Sequence, residues 1–184
     1  MLCGYRKPQN IAVFISGGGS TLQALLEMQH QFNVALVVSN KKSAYGLKKA
    51  KRFGKTLFTM NKDTSFGVID DLLEQHNISG IFLAGFMKML PTEFVNKWKS
   101  HIINIHPSLL PHYKGLNSAE KSWADNFDMG VSIHHVIPEM DEGELLLQKI
   151  SLKNPQQVGL AEAEILLRRT EQHLLREITY GNCL

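Results

Sequence analysis

Short apolar runs alternate along this sequence with segments whose apolar residues recur every three or four positions, and no other feature restricts the fold as much. It is the pattern of repeated strand–helix–strand units, not of a bundle or a sandwich. Residues 11–15 read as a first strand, followed by Gly17-Gly18-Gly19 and a helix in which Leu22, Leu25 and Leu26 recur at i, i+3, i+4. Ser20 and Gln23 match a capping box at its start. Residues 34–38 give a second strand, 43–53 a helix ended by Gly54, 56–58 a short strand and 66–75 a third helix. Residues 80–84 and 102–105 are mainly apolar and bounded by turn or polar residues, as central strands covered on both faces require; residues 91–97 fit a helix between them. Beyond Pro111 come a loop, a helix over 118–125 and strands over 130–136 and 144–150 with no helix between, which leaves antiparallel pairing open for the last strands. A final helix carries Ala163, Leu167, Leu174 and Ile178 on one face, interrupted by Thr170. The expectation is an α/β fold: an open, mainly parallel twisted sheet with helices on both faces. With 184 residues and 43% hydrophobic content, one domain spanning 1–184 suffices.

The longest apolar runs, such as residues 81–87, are far shorter than a membrane span, and no apolar stretch follows Arg6 and Lys7 to act as a signal peptide. A cytoplasmic protein without a membrane partner is expected. Cys3 and Cys183 lie at opposite extremes of the chain with no metal-ligand spacing, so both read as free thiols and no metal is expected. The net charge of +3 is mild, yet Lys41, Lys42, Lys48, Lys49, Lys51, Arg52 and Lys55 crowd one segment. Few aromatic residues are interleaved there as stacking platforms, which favours a solvated helix surface over a nucleic-acid footprint. Attraction of small anionic substrates is a third reading.

Two places carry chemistry. A strand running into Gly17-Gly18-Gly19-Ser20-Thr21 and then a helix can hold an anion, because free backbone N–H groups and the helix dipole converge there. Phosphate is the expected guest. The pattern matches neither the dinucleotide fingerprint nor the P-loop, and the glycines could equally serve only a tight turn. The second place, residues 104–111, breaks a buried strand with two hydrogen-bonding side chains. Strand periodicity puts Asn104 and His106 on one face, and Pro107 biases His106 toward extended backbone. Both are expected in a cleft at the C-terminal edge of the sheet, shared with the glycine turn. An amide N–H can stabilise an oxyanion and an imidazole can move a proton, as acyl transfer requires. A third, acidic member is expected from Glu139, Asp141, Glu142 and Glu144, among which spacing alone does not choose. Ser132 and His134 share a face of the preceding strand; lining the cleft is one reading, and packing or hydrogen bonding to the sheet is the favoured one. His134 and His135 face opposite ways, which argues against a metal site.

These residues resemble the folate-dependent formyltransferases, most closely those that act on phosphoribosylglycinamide in purine biosynthesis. Residues 15–20 look like the family's phosphate loop, 38–41 like the end of its second strand, 83–90 like its folate-pocket strand and loop, 104–111 like its catalytic signature and 140–143 like the loop carrying its catalytic aspartate. The similarity runs from about residue 11 to residue 150.

The resemblance implies formyl transfer from 10-formyltetrahydrofolate, as co-substrate, to the amine of glycinamide ribonucleotide, without a metal. It implies that Asn104 donates to a tetrahedral oxyanion, that His106 stabilises that charge and shuttles protons, and that Asp141 orients His106. Gly18, Gly19, Ser20 and Thr21 would hold the substrate phosphate. Met87, Lys88, Met89, Leu90, Val95 and Ile102, with Asn104 and Asp141, would hold the folate, and Pro107, Glu171 and Gln172 the acceptor.

The departures from the family fall on the acceptor side. Thr21 stands where asparagine is usual, Gln172 where glutamate is usual, with Glu171 next to it, and Ala119 where histidine often occurs; the tail after His173 lacks the usual Tyr-Pro. Another acceptor amine and formyltetrahydrofolate hydrolysis are therefore the enzymatic alternatives. The hydrolase normally carries an added N-terminal domain, methionyl-tRNA formyltransferase an added C-terminal one, and sugar-amine formyltransferases are usually longer, so size favours the purine enzyme. A catalytically silent nucleotide- or RNA-binding module is the non-enzymatic alternative.

Overall fold

A computed structural model describes residues 9–28 and 32–180; Cys3 and Cys183, read as free thiols, lie outside the described residues. The elements run β1 Gln9–Ile15, α1 Ser20–Glu27, β2 Phe32–Ser39, α2 Tyr45–Arg52, β3 Thr56–Thr59, α3 Phe66–Gln75, β4 Gly80–Ala84, α4 Thr92–Lys97, β5 Ile102–His106, α5 Ser118–Ala124, β6 Met129–His135, β7 Leu145–Leu152, a 3-10 turn Pro155–Gln157 and α6 Leu160–Tyr180. The strands form one sheet in the order β3-β2-β1-β4-β5-β6-β7. The first five are parallel, and β6 and β7 pair antiparallel. The succession of strands across the sheet therefore reverses between the parallel neighbours β1 and β4, the position at which open α/β sheets form a crevice.

Alternation along each strand builds two cores. Ile11, Val13 and Ile15 of β1 join Ile103 and Ile105 of β5 under α1 and α6, whose Ala163, Leu167, Leu174 and Ile178 are all buried. Ala12, Phe14, Ile81, Leu83 and Ile102 join Ile69, Leu73 and Phe94 of α3 and α4 on the other face. Phe94 packs 5.0 Å from Phe66 and 6.3 Å from Phe14, centroid to centroid. A fully buried side chain of this kind contributes roughly 1.5–3 kcal/mol, so neither face is spare. Even-numbered β5 residues face the α3–α4 side, and that register decides where Asn104 and His106 point.

One local expectation is corrected. Ser20 and Gln23 do not form a capping box: the N-cap of α1 is Gly19, in the left-handed conformation (φ 67°), with no side-chain capping bond. Glycine is required there by φ and also because a Cβ on Gly19 would lie 2.7 Å from Gly46 Cα.

Candidate active site

β5 carries Asn104 and His106 on one face, and the antiparallel register sets them opposite His134 and Ser132 of β6. The loop between β6 and β7 reaches back over this face with Asp141 in the left-handed conformation (φ 53°), which Asp tolerates better than most residues. Of the four candidate acids, Asp141 is the one whose carboxylate meets the pair: Oδ2 lies 3.5 Å from His106 Nδ1, and Oδ1 lies 3.4 Å from Asn104 Nδ2. Glu142 is instead paired with Lys114 at 2.8 Å, Glu144 is exposed, and Glu139 stands on the rim.

Backbone carbonyls determine which ring nitrogen faces the reaction centre. His106 Nε2 is 2.9 Å from the Tyr113 carbonyl, which only accepts, so Nε2 carries a hydrogen and Nδ1 faces Asp141. Asp141 Oδ2 also accepts the Gly115 N–H at 2.8 Å. Burial raises the Asp141 carboxyl, yet the net shift is downward, with the Gly115 N–H donated to Oδ2 and the His106 ring beside it. The carboxylate is thus ionised, desolvated and aimed at His106, the arrangement that stabilises an imidazolium beside developing negative charge.

Beside this cluster opens a cavity of about 480 Å³, walled by the loop after β4, by α4 and by the segments following β5 and β6. Met87, Lys88, Met89, Leu90, Val95 and Pro107 line it together with Asn104, His106 and Asp141. Ile102 lies in the core with Phe94 instead of on the wall. Met87 and Met89 are 63% and 62% exposed and give the cavity apolar side chains, and Lys88 Nζ sits 5.5 Å from the Phe66 ring centroid.

The glycine turn lies at the same sheet edge, but the cavity walls do not include it. The two regions are joined by Ser16, whose hydroxyl donates to Asn40 Oδ1 at 2.6 Å and accepts the Met87 N–H at 2.7 Å. Gly17 and Gly18 are exposed, and a Cβ on either would meet nothing within 4 Å, so crowding does not require glycine there. Lys49 donates to the Gly19 carbonyl at 3.1 Å; most of the other basic residues around α2 are solvated, since that helix buries only Gly46 and Ala50. Thr21 is buried and donates its hydroxyl to Glu171 of α6, whereas Gln172 is exposed. Burial raises the Glu171 carboxyl, against the lowering effects of the Thr21 hydroxyl and Arg168. Ala119 is buried in the core under α5.

Ser132 has the structural role expected of it: its hydroxyl donates to the Ser108 carbonyl at 2.6 Å and accepts the Leu110 N–H at 3.1 Å, fixing the loop after β5. His134 does not. It is 2% exposed with Nε2 3.2 Å from Asn104 Nδ2 and 3.5 Å from Asp141 Oδ1, inside the cluster. Its spacing from Ser132 marked the face, but only the β5–β6 register reveals that the face is shared with Asn104. No group of three or more His, Cys, Asp or Glu suited to a metal ion occurs among the described residues, and none of their helices is long and apolar enough to cross a membrane.

The formyl transferase family model matches residues 9–157. The phosphoribosylglycinamide formyltransferase of Haemophilus influenzae is 38% identical over 152 residues, 76% of this chain and 71% of that protein. That of Escherichia coli K12 is 34% identical over 178 residues, 90% of this chain and 82% of that protein. The human trifunctional purine biosynthetic protein adenosine-3 is 38% identical over 155 residues, and the match spans only 15% of its length. Among solved structures, the phosphoribosylglycinamide formyltransferase of Streptococcus pneumoniae TIGR4 superposes with a TM-score of 0.87 at 29% identity, covering 94% of this chain and 98% of that one. With Asn104, His106 and Asp141 brought together on the matched segment, the chain belongs to the formyl transferase family, beside the phosphoribosylglycinamide formyltransferases.

Proposed function

We propose that this protein transfers the formyl group of 10-formyltetrahydrofolate to the primary amine of glycinamide ribonucleotide. The observation that carries the reading is the buried Asp141 carboxylate set against His106 and Asn104 at the wall of an apolar cavity. The cavity has the volume and lining for the pterin of a reduced folate, with the backbone of Lys88 to Leu90 available to its polar edge. The glycine turn, at the N-terminus of α1 beside Thr21 and Glu171, suits a phosphate and the acceptor attached to it.

The amine attacks the formyl carbon, a C–N bond forms and the carbonyl electrons move onto oxygen. Asn104 N–H and protonated His106 Nδ1 stabilise that oxyanion; Asp141 balances the imidazolium charge. The attacking nitrogen loses a proton, the folate N10 gains one, and collapse of the oxyanion breaks the bond to N10. Both substrates meet directly, so no covalent enzyme intermediate is needed.

Incubating purified protein with both substrates should yield tetrahydrofolate and formylglycinamide ribonucleotide in equal amounts, followed by absorbance and mass spectrometry. No formylated product at any substrate concentration would sink the reading. Donor consumption without acceptor would assign a hydrolase, and salt-sensitive RNA binding without turnover a binding module.

A further inference from the structure

His134 holds a position that the proposed mechanism leaves unused. Its Nδ1 lies 2.8 Å from the His135 carbonyl, which can only accept, so Nδ1 carries a hydrogen. That carbonyl is itself fixed by the chain returning at Gly143, where a Cβ would come 1.8 Å from the His135 oxygen. Nε2 therefore points inward, 3.2 Å from Asn104 Nδ2 and 3.5 Å from Asp141 Oδ1.

An Asn amide is nearly symmetric in shape, so packing does not decide which end faces which way; its hydrogen-bond partners do. Asn104 Nδ2 faces two acceptors when His134 is neutral: the bare Nε2, and Asp141 Oδ1 at 3.4 Å. The first takes one amide hydrogen. The second contact is long, which leaves that hydrogen available to an oxyanion.

We propose that His134, as its Nδ1–H tautomer, is the positioning residue that holds the Asn104 amide with its N–H groups toward the reaction centre, a role that rests on the formyl-transfer reading above. Protonation at Nε2 reverses the arrangement. The ring can then no longer accept from Asn104, the amide turns its oxygen inward, and the imidazolium competes with His106 for Asp141. The titratable group facing His134 is Asp141 from the β6–β7 loop, which also meets His106 of β5; the opposite face of β6 presents Val131 and Ile133 to the apolar core.

The test combines 15N NMR of the histidine rings in the wild-type protein with kinetics of His134→Ala and His134→Gln. The spectra should show His134 neutral with hydrogen on Nδ1 and a bare Nε2 near neutral pH, a readout that needs no turnover. His134→Ala should lower kcat about 10- to 100-fold with little change in either KM, since it disturbs only the oxyanion donor. Glutamine can offer an acceptor oxygen to the Asn104 amide, so His134→Gln should recover part of the kcat lost in His134→Ala. An Nε2–H tautomer, an unchanged kcat in His134→Ala or no recovery of kcat in His134→Gln would each overturn the proposal. Wild-type protein inactive toward both substrates but with the expected tautomer would instead count against the formyl-transfer reading alone.

Discussion

In the proposed reaction, Asn104 and His106 each offer one donor to the oxyanion. If both act only on the transition state, Asn104→Ala and His106→Ala should each lower kcat by about 100-fold or more and leave both KM values near those of the wild type. Steady-state kinetics decide this, and a loss confined to KM would refute the roles. Two carboxyls shifted in opposite directions give a separate check through stability. Asp141 is depressed in the folded protein, so its contribution is present above the unfolded value of about 3.9 and is lost as pH falls through the lower folded value. Glu171 is raised, so the folded state holds its proton more tightly and stability falls as pH rises from about 4.3 through the folded value. Urea unfolding should therefore find Glu171→Gln more stable than wild type at neutral pH, with the difference closing in acid. Asp141→Asn should lose stability relative to wild type at neutral pH, and that deficit should shrink in acid. Parallel pH curves for wild type and either variant would contradict the assignment.

At the level of elements, the strands and helices were readable because each face of the sheet is buried. Runs such as residues 80–84 must then be apolar throughout, and α6 must carry Ala163, Leu167, Leu174 and Ile178 as one stripe. Grouping Asn104 with His106 needed only the two-residue repeat of a strand. Spacing left Asp141 open among Glu139, Glu142 and Glu144, and only the resemblance singled it out, because the path of a loop leaves no periodic trace in sequence; nor does the pairing register that places His134. The capping box failed for a related reason: Gly19, held against Gly46, fixes the entry to α1 before any Ser20 side chain can. The glycine turn can now be divided between packing and binding. Gly19→Ala should destabilise by about 1–2 kcal/mol from its left-handed backbone, with the contact to Gly46 adding to that. Gly18→Ala meets no neighbour and should leave the melting temperature unchanged while raising the acceptor KM about three- to tenfold, the equivalent of one lost hydrogen bond. Equal losses of stability in both variants would return the whole turn to a purely structural role.

Across the whole molecule, the proposed reaction requires two substrates to meet although the regions proposed for them rise from different strands. The glycine turn leaves β1, and the apolar cavity is built around the ends of β4 and β5, on the side of the sheet where strand order reverses. Ser16 connects them: one hydroxyl, at the end of β1, bonds to Asn40 beyond β2 and receives the N–H of Met87 in the loop after β4. Three chain segments thus share one oxygen. Ser16→Ala removes that hydroxyl, leaving the Met87 N–H without its acceptor and Asn40 Oδ1 without its donor, at a stability loss of about 1–3 kcal/mol. Because Met87 lines the cavity and the glycine turn follows Ser16 directly, the change should act on donor and acceptor together: both KM values should rise, while the pH profile of kcat, set in the proposed mechanism by Asn104 and His106 of β5 with Asp141 of the β6–β7 loop, keeps its shape. A rise in the acceptor KM alone would mean that Ser16 only braces the glycine turn. A changed pH profile would mean that the loop after β4 also controls the reaction centre.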